Sequence, residues 1–289
     1  MRYTSAIALA ITISLWGANY PFIKIAFAEM PPITMAFLRS LISLPLLISV
    51  AYYLNPNFKT LLKNWKALLL LGIFGTVGYQ LLQNYGLTYA TASESSVLLN
   101  SDPIYIAILA SFYLKEKLDA RKIAGIAIAF AGVSTIVLRG SGGFTLSSGA
   151  ILGDLLAIGG AFSWALFSVY GKKVLEKVSP YDMTAYSSML GTLALAPIAF
   201  SFESVALPST INGWAILLFI GLGASGVGYL LWFVALKGVT ANEAGISLFF
   251  TPLIGIIASA VVLGETIDLI FGIGAVLVII GMYITTKSK

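Results

Sequence analysis

The segment from Ser95 to Ala120, SSVLLNSDPIYIAILASFYLKEKLDA, sets an amide, a carboxylate and a helix breaker (Asn100, Asp102 and Pro103) inside an apolar run. If that run lies in a bilayer, a carboxylate at mid-depth costs roughly 2.5–3.5 kcal/mol on insertion scales, so it must be protonated, paired or hydrated. Pro103 removes one backbone donor and displaces the carbonyl of Leu99. Freed backbone groups in hydrocarbon are tolerated only beside protein or a water-filled cavity. The triplet therefore reads as a piece of cavity wall, with a plain packing kink as the alternative for the proline alone. The stretch LFFTPLIG repeats the device with Thr251 and Pro252. Two roles compete for Asp102: carrier of a coupling proton, or member of a fixed pair with Lys24 or Arg39 that braces the bundle.

Further polar and aromatic side chains recur at helical spacing. Trp16, Asn19 and Tyr20 share one face of the first apolar run, Tyr79 and Gln83 one face of the third, and Gln80 and Asn84 another. Trp164 echoes Trp16, and Tyr229 and Trp232 occupy the turn that matches the third run. An aromatic lining studded with amides suits an amphipathic organic solute. Aromatic belts at the membrane interface and ordinary helix packing account for part of the set. Arg39 is placed to meet an anionic group of a substrate. Lys24 lies near the end of its run, where snorkelling to the interface is the simpler reading. Glu94, Glu243 and Asp154 lie near run ends and read as solvated charges; Glu116, Asp119, Glu265 and Asp268 read as loop charges and helix starts.

The elements that must position these groups follow from composition. The chain is 58% hydrophobic and only 10% charged, against about 25% charged for a typical soluble domain, and its mean hydropathy is +0.94. That is the composition of an integral membrane protein. With no Cys and no His, disulfides, thiolate nucleophiles and His-based metal sites or proton relays fall away, so no metal or cofactor is expected. The net charge of +5 is read as a signal of orientation rather than of nucleic-acid binding.

A helix needs about 20 mostly apolar residues to cross a bilayer. Ten stretches qualify, at roughly 4–27, 33–53, 67–86, 93–113, 121–138, 150–171, 182–201, 214–236, 242–262 and 267–286. The long runs lack the alternation of a barrel strand. AFA at 26–28 resembles a signal cleavage site, but Trp16, Asn19 and Lys24 late in the run argue for a retained helix. With both termini cytoplasmic, nearly all Lys and Arg outside the spans fall on the inner side and only Arg139 on the outer. The expected location is the cytoplasmic membrane.

The chain is also a duplication. Trp65 aligns with Trp214, Glu94 with Glu243, Pro103 with Pro252, Glu116 with Glu265, Gly125 with Gly274 and Gly132 with Gly281, all at one offset (214 − 65 = 149). Upstream, Trp16 aligns with Trp164, Lys24 with Lys172 and Pro32 with Pro180 (180 − 32 = 148). Five spans per copy is an odd number, so the copies enter the membrane from opposite sides. The expected fold is all-α and membrane-integral, with ten transmembrane helices as two inverted-topology five-helix repeats. The first repeat takes 1–140, an extracytoplasmic linker 141–149 and the second repeat 150–289. Substrate then sits near the midplane between the halves.

These segments, SLWGANYPFIKIAF with MAFLRS, and YATASESSVLLNSDPIYIAILASFYLKEKLDARKIAGIAIAFAG with its second-half echo, resemble the EamA repeat of the drug/metabolite transporter superfamily. The resemblance spans nearly the whole chain. It implies the same ten helices and carrier-type movement of small metabolites, often export of amino acids or related compounds. Two departures stand out: Asp102 replaces the usual small residue before the proline, and Lys115-Glu116 replaces the usual Gly-Glu.

The expected function is thus a secondary active transporter, an exporter of small organic metabolites by alternating access. Its partners are a small-molecule substrate, the lipid bilayer and, in the proton-coupled version, protons. A uniporter, a channel and a lipid flippase of the same fold are the alternatives. A channel would need a continuous polar path or a filter ring. An enzyme is not expected, because Asp102 has no second mid-membrane acid and no serine has an evident base. No nucleotide-cradling Gly-rich loop with Lys is present.

Overall fold

The computed structural model describes residues 3–54, 59–89, 98–137, 148–264 and 269–286; the side chains of Tyr20 and Lys24 also lie outside the described residues. Among the described residues every regular element is helical: α1 Tyr3–Ala26, α2 Pro32–Leu54, α3 Lys59–Gly72, α4 Tyr79–Tyr89, α5 Asp102–Tyr113, α6 Ala120–Val137, α7 Ser148–Val174, α8 Pro180–Phe202, α9 Ile211–Leu218, α10 Tyr229–Gly238, α11 Ala241–Ser247, α12 Thr251–Leu263 and α13 Leu269–Thr286. Seven helical runs are long and apolar enough to cross a membrane, several of them joined pieces such as Lys59–Gly86, Ile211–Gly238 and Ala241–Val262. Asp102–Tyr113 and Leu269–Thr285 are shorter apolar helices. The expected charges Glu94, Glu265 and Asp268, and most of the linker, lie outside the described residues.

The joined runs are interrupted at corresponding places. π-helical turns at Ile73–Gly78 and Phe219–Gly228 separate α3 from α4 and α9 from α10. At the offset of 149, the first falls inside the second. Both segments are glycine-rich, and a π turn leaves carbonyls out of register with their usual donors. In an apolar medium those carbonyls need partners. They find them in side chains from α1, α7 and α10: Trp16 Nε1 donates to the Ala224 carbonyl (3.0 Å), Thr12 Oγ1 to Gly228 (3.3 Å), Ser163 Oγ to Phe74 (2.9 Å) and Tyr229 OH to Gly75 (3.4 Å).

The two prolines of the opening motif also correspond. Pro103 stands in the first turn of α5 and Pro252 in the first turn of α12, where a missing N–H leaves no bond unmade. Before Pro252 runs a 3-10 turn, Leu248–Phe250. Before Pro103, Asn100 and Ser101 form a turn. Asp102 is accordingly the first residue of a helix, not the middle of one, and its carboxylate faces the positive end of the α5 dipole.

Glycine sets the closest crossings. α6 packs along α13, and a Cβ added at Gly132 would lie 2.7 Å from the Gly274 carbonyl oxygen, 2.9 Å from Leu277 Cβ and 2.9 Å from the Val278 nitrogen. One added at Gly281 would strike the Gly125 carbonyl. Gly125 and Gly274 are equivalents in the duplication, as are Gly132 and Gly281, so each glycine touches the equivalent of the other. Small residues let helix backbones approach where no aqueous hydrophobic drive exists. α8 meets α3 in the same way, through Gly191 and Gly72.

Two glutamates tie the ends. Glu203 accepts from the Ile33 (3.1 Å) and Thr34 (2.7 Å) amides at the start of α2. Glu29 accepts from the Ser209 (3.1 Å) and Thr210 (3.3 Å) amides ahead of α9, and from Thr210 Oγ1 (2.6 Å). The Thr210 hydroxyl, outweighing partial burial, holds the Glu29 carboxyl below its usual range.

Three outcomes are expected. Gly132→Ala lowers stability by about 1–3 kcal/mol through overpacking, whereas Gly272→Ala, with nothing within 4 Å of the new Cβ, leaves the thermal midpoint in detergent unchanged. Lys115 has φ 56°, and the equivalent position in the second half is Gly264, with φ 70°. Lys115→Gly therefore raises stability by about 1 kcal/mol by relieving the left-handed backbone; an unchanged or lowered midpoint contradicts this. Because the Glu29 carboxyl is depressed in the folded state, its contribution is complete above the unfolded pKa and disappears as pH falls through the folded value. Glu29→Gln thus lowers the midpoint at neutral pH, with a difference that vanishes in acid.

Candidate functional site

Two tryptophans from equivalent positions meet at the centre. The rings of Trp16 and Trp164 are 5.0 Å apart and nearly perpendicular. Tyr79 approaches Trp164 at 5.0 Å, and Tyr229 approaches Trp164 at 5.4 Å and Trp16 at 5.9 Å. Trp232 packs against both tryptophans at 5.5 and 5.7 Å. Edge-to-face contacts of this kind are favourable and rigid.

Against this cluster opens a cleft with about 650 Å³ of empty space, the part open to solvent included. Its polar wall holds Asn19 from α1, Arg39 from α2, Gln83 from α4, Asn100 and Asp102 at the start of α5, and Thr251 at the start of α12. Its aromatic wall is Trp16, Tyr79, Trp164 and Tyr229. Ten of the residues singled out from sequence thus converge on one space, although they come from seven helices and the turn before α5.

Others of the set lie elsewhere. Gln80 is buried and does not line the cleft; its Nε2 donates to Ser40 Oγ (3.3 Å). Asn84 donates from Nδ2 to the Pro32 carbonyl (2.9 Å), tying α4 to the start of α2. Trp232 is fully buried beneath the other aromatics. Each shares a helix with a cleft residue: Gln80 and Asn84 directly follow Tyr79 and Gln83, a rotation of about 100° about the axis of α4, and Trp232 lies three residues after Tyr229 on α10. The Tyr20 side chain lies outside the described residues.

Sequence reading missed Ile23, Leu99, Ala224 and Leu248, because an apolar residue in an apolar helix carries no signal by type. Leu99 and Leu248 could have been found another way: they are equivalents at the offset of 149, as are Asp102 and Thr251. Both pairs line the cleft.

The electrostatics are bipolar. Arg39 and Asp102 face one space, yet no ion pair joins them among the described residues. The Lys24 side chain, the other expected partner of Asp102, is not described. Among the described residues, Asn19 Oδ1, Arg39 Nε, Trp164 Nε1 and Thr251 Oγ1 have no hydrogen-bond partner, and each residue is more than nine-tenths buried. An unsatisfied buried polar atom costs about 1–3 kcal/mol. The cleft therefore presents donors and acceptors that water or a solute would satisfy. No group of His, Cys, Asp or Glu among the described residues has the spacing of a metal site.

The chain has many relatives of this kind. The profile of the EamA-like transporter family matches residues 4–138 and again 151–287. An uncharacterized transporter of Archaeoglobus fulgidus is 34% identical over 238 residues, covering 82% of this chain and 81% of that one. The uncharacterized transporter YvbV of Bacillus subtilis is 33% identical over 83% of this chain and 77% of its own. A crystal structure superposes with a TM-score of 0.87 over 99% of this chain and 97% of the other, at 20% identity, which shows a shared fold. The protein is a multi-pass membrane protein and belongs to the EamA-like transporter family.

Proposed function

We propose that this transporter is a secondary carrier that exports a small amphipathic metabolite, such as an amino acid or a related compound, by alternating access. In this reading ten helices form two inverted halves, 1–140 and 150–289, joined by an outer linker at 141–149, with both termini cytoplasmic. The cleft is the substrate site, on the pseudo-twofold axis near the midplane of the cytoplasmic membrane.

The observation that carries the reading is the pairing of equivalents. Trp16 meets Trp164 edge to face, and the pairs Leu99 with Leu248 and Asp102 with Thr251 line one space. The reciprocal glycine contacts between α6 and α13 supply the same relation at the periphery. Residues that sit on a twofold axis meet their own equivalents, and residues off it meet each other's.

Chemistry gives the solute its outline. Arg39 suits a carboxylate, which a guanidinium can hold through two parallel bonds. Asp102, in the same wall, suits an ammonium group. The four aromatic rings accept an apolar side chain or the face of a cation. A bare inorganic ion would leave the aromatic wall without use.

A ligand screen by thermal shift on the purified protein, followed by counterflow of labelled hit compounds, tests the reading; a hit that shows no saturable counterflow refutes carrier action. Arg39→Gln is expected to weaken binding of a carboxylate-bearing ligand by about tenfold or more, the worth of a charged hydrogen bond, and an unchanged affinity removes Arg39 from the site. If Asp102 carries a coupling proton, Asp102→Asn flattens the pH profile of transport. Wild-type rates with an unaltered profile discard that role. Reporters fused after Lys289 and within 141–149 are expected on opposite sides of the membrane.

A further inference from the structure

At one face of the molecule, the turn between α10 and α11 is gripped by two charged side chains from elsewhere. Glu116, three residues beyond the end of α5, accepts from the Ala241 amide (2.7 Å) with one carboxylate oxygen and from the Asn242 amide (3.0 Å) with the other. Lys172, in the last turn of α7, donates to the Leu236 carbonyl (2.7 Å) and the Val239 carbonyl (2.6 Å). The anion sits at the start of one helix and the cation at the end of the preceding one, so each complements the local dipole and takes up groups the helix ends leave bare. α11 already has a cap of its own: Thr240 Oγ1 accepts from the Glu243 amide and the Glu243 carboxylate from the Thr240 amide. Glu116 is therefore an added, long-range hold rather than the local cap.

The helices so joined are two that build the cleft. α5 begins with Asp102 in its wall, and α11 runs through the 3-10 turn to Leu248 and Thr251. They lie in close contact: a Cβ added at Gly245 would come within 2.9 Å of Ile106 Cγ2. Lys115, in the left-handed region, turns the chain so that the Glu116 amide donates to the Ala110 carbonyl (3.1 Å) while its side chain reaches α11. Strained backbone of this kind persists where the surroundings over-determine it, often at switches.

One group works against the hold. Asn242 is 2% exposed, and among the described residues neither its Oδ1 nor its Nδ2 has a hydrogen-bond partner. Its backbone amide is one of the two that Glu116 grips. Drawing the turn in buries this amide side chain unpaired; letting the turn swing out hydrates it.

We propose that Glu116 and Lys172 form a latch that closes the cleft toward this face, and that Asn242 is the load that makes the latch releasable. The proposal rests on the carrier reading above. A gate that cycles needs two states separated by little free energy, and charge-assisted bonds opposed by an unpaired amide supply that balance.

The chain has no cysteine, so Leu248→Cys places a single thiol in the cleft wall. Its rate of reaction with a membrane-impermeant thiol reagent, measured from each face in sealed vesicles of known orientation, reads gate opening. Glu116→Gln is expected to speed labelling from the latch face about tenfold, the loss of a charge-assisted pair of bonds. Lys172→Gln, which breaks the other arm, is expected to act in the same direction, and Asn242→Ala in the opposite one. If Asn242→Ala speeds labelling, or if neither Glu116→Gln nor Lys172→Gln moves the rate, the latch is overturned. A thiol that reacts from each face in turn, at rates indifferent to all three variants, overturns the latch and leaves the carrier standing. A thiol reached from neither face overturns both.

Discussion

A peptide group in hydrocarbon has no water to fall back on. That constraint explains why interruptions of helix are the informative parts of this molecule. Each one releases backbone groups, and each released group has to be met by a side chain carried there by a different helix. The π turns between α3 and α4 and between α9 and α10 are met by Trp16, Thr12, Ser163 and Tyr229. The residues that discharge this debt are those that surround the cleft or stand next to it. Local irregularity and binding capacity thus have one cause: the backbone is opened only where polar side chains are gathered, and gathered polar side chains are what a solute can use.

The duplicated halves use equivalent parts unequally. Trp16 donates its indole N–H to the Ala224 carbonyl, whereas Trp164 Nε1 has no partner among the described residues. The equivalent of Ala224 is Gly75, whose carbonyl faces the Tyr229 hydroxyl at 3.4 Å. The start of α5 carries Asp102 where the start of α12 carries Thr251. Two copies of one plan have therefore diverged into a cleft with a cationic and an anionic side. Divergence in the cleft wall and retention at the crossings make physical sense, because a glycine contact tolerates no added atom, while a wall residue need only keep its reach.

Charged side chains tie the helices together at their ends. Glu29 and Glu203 cap helices from loops distant in sequence, and Glu116 with Lys172 holds the turn between α10 and α11. Such contacts lie in the terminal turns, where side chains can exchange protein partners for water at small cost. The glycine-lined crossings between α6 and α13 do not have that freedom. A molecule built this way has firm packing along its helices and adjustable contacts at their ends.

How much of this was legible in the chain itself follows from the same physics. Composition and run length point to an all-helical membrane protein, since only helices and closed barrels satisfy the backbone in lipid and the long runs lack a barrel strand's alternation. The offset that matches prolines, glycines and tryptophans identifies equivalent positions, and a polar residue in an apolar run announces itself by its cost. That is why Trp16, Asn19, Arg39 and Asp102 could be named in advance. Only the tertiary structure decided which face each helix turns to the cleft. It set Gln80, Asn84 and Trp232 behind the wall, brought Leu99 and Leu248 onto it, and made Asp102 the first residue of a helix. It also assigned Glu116 and Lys172 to the ends of helices far away in sequence. Rotation about a helix axis and pairing across long separations depend on which backbones come closest, and that is settled by the packing of all the helices together rather than by the periodicity of any one.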